Sequence, residues 1–267
     1  MKTIMCGILA VILAFTFTAC GNDDGGGDPY NPGAGAGATQ GLVYELINSG
    51  SNANTYRVRA GTVTSGAVVI PSTYSDKAVT EIGSADDDTG AFKDTGITSI
   101  TIPSSVTAIG QAAFQNCASL TSITIPSSVT SIGNYAFGWC TGITGIIIPA
   151  GVTSIGDSTF NNCANLASVT IPAGVTSIGH SAFYECGSLT NITIPSSVRS
   201  IGDWAFASNS SSSLNITCRP TMPPTLAAQT VFEQRNLTIE VPAASVNAYK
   251  TSAVWINYAD DISAIVE

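Results

Sequence analysis

Four cysteines stand 23 residues apart, at Cys117, Cys140, Cys163 and Cys186. Thiols can form disulfides, bind soft metals or act as nucleophiles, so this file is where chemistry is sought first. Its regularity argues against all three. Neighbouring strands of a stack lie about 4.8 Å apart, but a disulfide wants converging Cβ atoms about 3.8 Å apart. A straight file holds its Cβ vectors parallel. Identical residues in a straight file also cannot make a tetrahedron around zinc. The single histidine, His180, shares a column with Gln111, Asn134, Asp157 and Asp203, a polar and exposed place. No Ser/His/Asp or Cys/His set can be built from these residues. The four thiols are therefore expected to be small buried hydrophobes. Catalytic residues, cofactors and enzyme activity are expected to be none.

Asp86, Asp87 and Asp88, with Asp94 nearby, could hold calcium. Three adjacent aspartates lack the alternating spacing of a calcium loop, so a solvated loop is the better reading. No metal is expected, and these residues are only weak candidates for one. The formal net charge is -9 and only 10% of residues are charged. Loss of a leader containing Lys2 makes it more acidic, which argues against a nucleic-acid partner.

The element that positions all of these residues is a repeat. Five copies of a 23-residue pattern run through residues 96–210, the clearest at residues 119–141, SLTSITIPSSVTSIGNYAFGWCT. Ile-Pro recurs at Ile102, Ile125, Ile148, Ile171 and Ile194. Ile-Gly recurs at Ile109, Ile132, Ile155, Ile178 and Ile201. Phenylalanine recurs at Phe114, Phe137, Phe160, Phe183 and Phe206, and the fifth copy has Asn209 in the cysteine place. Four columns in register mean a solenoid, because one such unit cannot bury its apolar face alone. Ile123-Thr124-Ile125 alternates as a strand with its isoleucines inward, and Pro126 ends it because proline cannot donate to a ladder. Val129 to Ile132 is a second short extended piece. Asn134 to Cys140 has helical spacing, so one turn of α- or 3₁₀-helix is expected there. Phe160 is expected buried and its neighbour Asn161 exposed.

The pattern L-x-x-I-x-I-P-x-x-V-x-x-I-G-x-x-A-F-x-x-C resembles the BspA-type leucine-rich repeat of bacterial surface proteins. It covers residues 96–210 closely and 66–241 loosely. The resemblance implies a mostly β, α/β-class solenoid: a right-handed leucine-rich-repeat superhelix of 23-residue coils. An N-terminal β-hairpin cap and a C-terminal helical cap close its ends. The motif residues are core, so the resemblance says more about fold than about function.

Along the chain, residues 1–19 read as a leader, with Lys2 as its positive region and an apolar run over Ile8 to Phe17 too short to span a bilayer permanently. Phe17-Thr18-Ala19-Cys20 resembles a bacterial lipobox, with Phe17 departing from the usual leucine, and implies lipidation of Cys20. The plainer alternative is ordinary signal cleavage. Residues 20–40 are a Gly/Asp-rich tether, whose Asn22-Asp23-Asp24 resembles the acidic tag of lipoproteins shown on the outer face of the outer membrane. Residues 41–65 form the β cap, 66–241 the solenoid and 242–267 the helical cap. In the last part Ile216-Thr217-Cys218 and Ile239-Glu240-Val241 keep the strand place, and Ala243 to Val266 reads mostly as helix.

The candidate ligand contacts are Tyr135, Trp139, Ile147, Tyr184 and Trp204. Thr101, Thr124, Ile147, Thr170 and Thr193 form an outward file in which Ile147 breaks a threonine ladder. The four aromatics fall at variable places on the helical side. They can anchor a protein partner or stack on sugars, or simply pack against a neighbouring turn. The resemblance implies a non-enzymatic, monomeric, lipid-anchored outer-membrane protein exposed at the cell surface for adhesion or protein binding. The alternative is a glycan-binding accessory protein of a polysaccharide uptake system.

Overall fold

The structure, a computed structural model, describes residues 37–48, 50, 52–83, 90–208, 212–233 and 236–266. They lie within one compact unit, Gly33–Glu267. The leader, Cys20, most of the tether and Asp86, Asp87 and Asp88 lie outside the described residues.

The chain winds as a mostly β solenoid of about nine turns. One side of the coils carries the strands Ser65–Val69, Gly96–Thr101, Ser122–Ile123, Gly145–Ile147, Ser168–Thr170, Asn191–Ile194, Leu214–Cys218, Leu237–Val241 and Ile262–Ala264. Wherever these pair with each other they run parallel, in three sheets. Alternation buries Ile192 and Ile194 and leaves Thr193 exposed, as the sequence expects. In the regular repeats the proline after the strand turns the chain: Val129 N–H donates to the Pro126 carbonyl at 3.0 Å, and Val152 to Pro149 likewise. A second side stacks shorter strands, among them Ser131–Ile132 and Ser154–Ile155, with their isoleucines buried.

The third side departs from expectation. No helix forms over residues 112–117 or 135–140; the chain makes a string of turns instead. Alternate N–H groups explain it. Ala113, Gln115 and Cys117 donate back three residues within their own coil, to Gly110, Ala112 and Phe114. Ala112, Phe114 and Asn116 donate to Asn134, Ala136 and Gly138 of the next coil. Ala112 and Asn116 take positive φ, 51° and 60°, to make this possible. Helical spacing survives in the sequence because the inward side chains recur every three or four residues. The coil-to-coil bonds replace the helical ones.

These turns deliver a ring stack to the core. Phe92, Phe114, Phe137, Phe160, Phe183, Phe206 and Phe232 follow one another with centroids 5.6, 5.4, 5.5, 5.3, 5.4 and 5.7 Å apart. Their planes lie within 14° of parallel, inside the range of favourable stacking contact. Asn161 corrects a second expectation: it is only 7% exposed. Its Oδ1 accepts from Asn162 Nδ2 at 2.5 Å, and its carbonyl accepts Trp139 N–H at 2.7 Å. The turn that carries Phe160 inward takes its neighbour with it.

Both ends are closed. Val43–Ile47 and Thr55–Arg59 form an antiparallel hairpin whose second strand joins Lys77–Ile82 in parallel. At the other end a 3₁₀ turn, Ala243–Ser245, leads into the short helix Val246–Thr251, and a second 3₁₀ turn spans Trp255–Tyr258. Trp255, Tyr249 and Tyr258 donate to the carbonyls of Pro224, Pro220 and Gln229, which pins the cap to the last coils. The expected helix does not reach Val266. Ile262–Ala264 is a strand paired with Leu237–Val241, Ile262 opposite Ile239. Those two isoleucines are one 23-residue period apart, which is the sequence signal for that strand.

Candidate functional site

The five candidate contacts do not form one site. Ile147 stands on the long-strand side and is 71% exposed. Tyr135 and Trp139 lie on the turn side of one coil, 38% and 39% exposed. Tyr184 and Trp204 are half-buried and on successive coils, with ring centroids 5.9 Å apart and planes at 73°. Tyr135, Trp139 and Trp204 all hold φ near 58°, unusual for aromatic residues. Ala112, Ser158 and Ser181 in the Tyr135 column do the same, so the coil imposes the conformation and the aromatics are merely displayed by it.

The long-strand side also carries a groove that the sequence reading stopped short of. Thr170, Thr193, Thr217 and Glu240 follow in one outward file, with Asn191 and Asn215 beside them, around an open cavity of about 750 Å³. Asn215 Nδ2 donates to Asn191 Oδ1 at 3.1 Å. Glu240 is the one charged side chain in the lining. Extending the threonine file by two further coils reaches Thr217 and then Glu240, so the signal was present in the sequence. That the face hollows into a groove was not.

The thiol file is buried, and no disulfide joins Cys117, Cys140, Cys163, Cys186 or Cys218. Each of the first four donates its Sγ hydrogen to the carbonyl of a phenylalanine in the preceding coil, at 3.0, 3.0, 3.1 and 3.2 Å. Burial pushes the Cys140 and Cys163 thiols well up, with the neighbouring thiols adding to it. Cys218, beside Tyr249 Oη at 3.3 Å, is pushed up to about 12, again mainly by burial. Such thiols are poor nucleophiles and poor metal ligands. His180 is exposed, and its backbone N–H is held by Asp157 Oδ1 at 2.8 Å. The polar column it belongs to thus also caps backbone between coils, as Asn134 does for Asp157. Among the described residues no three metal-ligating side chains come together, and no helix is long and apolar enough to cross a membrane.

A stack of 23-residue strand–turn coils around an isoleucine and phenylalanine core defines the leucine-rich-repeat class of solenoid. Residues 88–215 match the BspA type leucine rich repeat region in six copies, so this stretch is built of that type of repeat. No curated protein matches the chain. Among solved structures, a leucine rich repeat protein of T. pallidum is 24% identical with a TM-score of 0.59, over 82% of this chain and 92% of that one. A leucine rich cell surface protein of Faecalibacterium prausnitzii A2-165 is 26% identical with a TM-score of 0.51, over 78% and 71%. The pneumococcal vaccine antigen PcpA is 20% identical with a TM-score of 0.54, over 78% and 64%.

Proposed function

We propose that this protein is a non-enzymatic cell-surface recognition protein, held to the outer membrane by a lipid on Cys20. It contacts an extracellular protein through its long-strand side. One observation carries the reading: an open groove of about 750 Å³ lined by hydroxyl and amide side chains, on the side where Ile147 stands 71% exposed. A rigid stack offers this face with little ordering cost on binding, and an exposed apolar side chain in a polar field is the pattern of an interface anchor. The likeness to the cell surface protein of Faecalibacterium prausnitzii supports exposure at the cell surface.

The test is capture of the purified chain on a panel of immobilised extracellular-matrix proteins. Ile147→Asp and Thr193→Arg should each weaken capture about tenfold, the loss of one anchor residue. Capture unchanged by both would remove the long-strand side from the interface.

A second reading is favoured by Trp139, whose indole is exposed on a rigid turn. It is glycan capture, by stacking of a sugar ring on that indole. Binding on a carbohydrate array that disappears in Trp139→Ala or Trp204→Ala would select it over the first.

A further inference from the structure

The groove on the long-strand side has two unlike ends. Its lining comes from the successive strands Ser168–Thr170, Asn191–Ile194, Leu214–Cys218 and Leu237–Val241, so it runs across the strands. The outward file along it is Thr170, Thr193, Thr217 and Glu240, with Thr193 opposite Thr217 and Thr217 opposite Glu240. Ile147 continues the file one coil earlier, opposite Thr170, and is 71% exposed. Glu240 points outward because Ile239 and Val241, on either side of it, are buried. An apolar side chain therefore opens the file, a carboxylate closes it, and hydroxyls lie between. Four strand spacings separate Ile147 from Glu240, about 19 Å at about 4.8 Å each. An extended polypeptide rises about 3.3 Å per residue, so about six residues cover that length. That separation is even, and side chains an even number of residues apart in an extended chain point to the same side.

We propose that an extended segment of the partner protein lies along this groove, setting an apolar side chain against Ile147 and a lysine or arginine on Glu240. The inference rests on the surface-recognition reading and names the chemistry and spacing of the partner for that same side. Hydroxyl and amide groups both donate and accept. The threonines, with Asn191 and Asn215, thus serve the segment's backbone N–H and C=O groups wherever they fall. A helix would satisfy those groups within itself, and would need about thirteen residues to cover the same length at about 1.5 Å each. Glu240 is the one charged side chain in the lining, and the net charge of -9 adds a long-range attraction for a basic segment. A neutral glycan would bond the hydroxyls and amides but bring no cation to Glu240.

The probes are synthetic peptides otherwise of serine and threonine, immobilised on a biosensor surface over which the purified full chain is passed at physiological ionic strength. The first carries leucine and arginine at the spacing just derived, and the second carries them at half of it. The third is the first with glutamate in place of arginine, and neutral oligosaccharides are immobilised beside them. The first peptide should capture the chain about tenfold more strongly than either of the others, the worth of one anchor or one charge mismatch. Ile147→Thr, which completes the threonine file, should weaken that capture about fivefold through lost apolar contact. Glu240→Lys should reverse the preference between the arginine and glutamate peptides. The variant remains acidic overall, so diffuse attraction cannot produce that reversal. Melting curves establish that the variants fold, and Glu240→Gln, which keeps the side-chain shape, should weaken capture by the arginine peptide if Glu240→Lys does not fold. No capture by the first peptide, equal capture by the first and second, or stronger capture on the oligosaccharides would overturn the proposal. So would unchanged capture in Ile147→Thr or Glu240→Gln, or a folded Glu240→Lys that keeps the original preference. Matrix-protein capture lost in Ile147→Asp and Thr193→Arg yet unchanged in Glu240→Gln would keep the long-strand side as the interface and remove this segment from it, so the two readings fail separately.

Discussion

Cys140 donates its thiol hydrogen to the carbonyl oxygen of Phe114, 3.0 Å away and one coil earlier. That oxygen also accepts the N–H of Cys117 in its own coil at 3.1 Å. A carbonyl has two lone pairs, and here one closes a turn while the other ties two coils together. The cysteine column therefore does more than fill space, which explains why a small apolar residue is not simply used there.

The first prediction follows for the thiols. The native protein should react little with a thiol reagent, and after denaturation Cys117, Cys140, Cys163, Cys186 and Cys218 should all titrate as free. Fewer than these five in the part of the chain beyond the tether would mean that disulfides cross the coils. Cys218 adds a pH dependence. Its thiol is pushed from an ordinary 9.0 to about 12, so folding favours the protonated form. That stabilisation is complete below the unfolded value and is lost as pH rises through the folded one. The stability gap between wild type and Cys218→Ala should therefore narrow by about 1 kcal/mol between pH of about 9 and about 10. A gap that stays constant over that interval would contradict the burial.

Phe160 sits between Phe137 and Phe183, 5.5 and 5.3 Å from their centroids. Phe160→Ala should cost about 3–5 kcal/mol in denaturant unfolding. Asn161→Ala should cost about 1–3 kcal/mol, because it removes a buried amide that is hydrogen-bonded. A loss near zero for Asn161→Ala would return that residue to the surface where the sequence first put it.

Gly133 lies where two coils come close together. A Cβ there would lie 2.5 Å from Gln111 N and 2.7 Å from Gly110 C, both backbone atoms of the preceding coil. Gly133→Ala should cost about 1–3 kcal/mol, as overpacking does. Gly138→Ala meets nothing nearer than 3.5 Å, and should be neutral or stabilise by up to about 1 kcal/mol through the unfolded chain. Equal effects of the two changes would show that the coils are not this close.

If Cys20 carries the lipid, Cys20→Ala should abolish labelling of the chain by a radioactive fatty acid and leave the leader uncleaved. Labelling that persists in the variant would end the lipoprotein proposal and leave ordinary secretion in its place.

The sequence by itself determined the period, and the period determined the fold. A core that must be shared between identical units repeats its apolar residues at a fixed interval, so Ile-Pro, Ile-Gly, Phe and Cys could be placed inward from spacing alone. The hairpin over the first coil was legible too, from two apolar runs around the turn residues Asn48 to Asn54. Tertiary structure decided what local spacing cannot carry. Residues 135–140 have the spacing of a helix, yet alternate N–H groups bond the next coil, to carbonyls 22 residues further on that no local pattern reveals. Asn161 reads as surface by type and is buried by the turn around it. Tyr184 and Trp204 are 20 residues apart in the chain and become one aromatic pair only because successive coils stack. Periodicity fixes which residues face inward, whereas a recognition surface is made of the residues that depart from the period, and only the stacking of coils decides which of those departures meet.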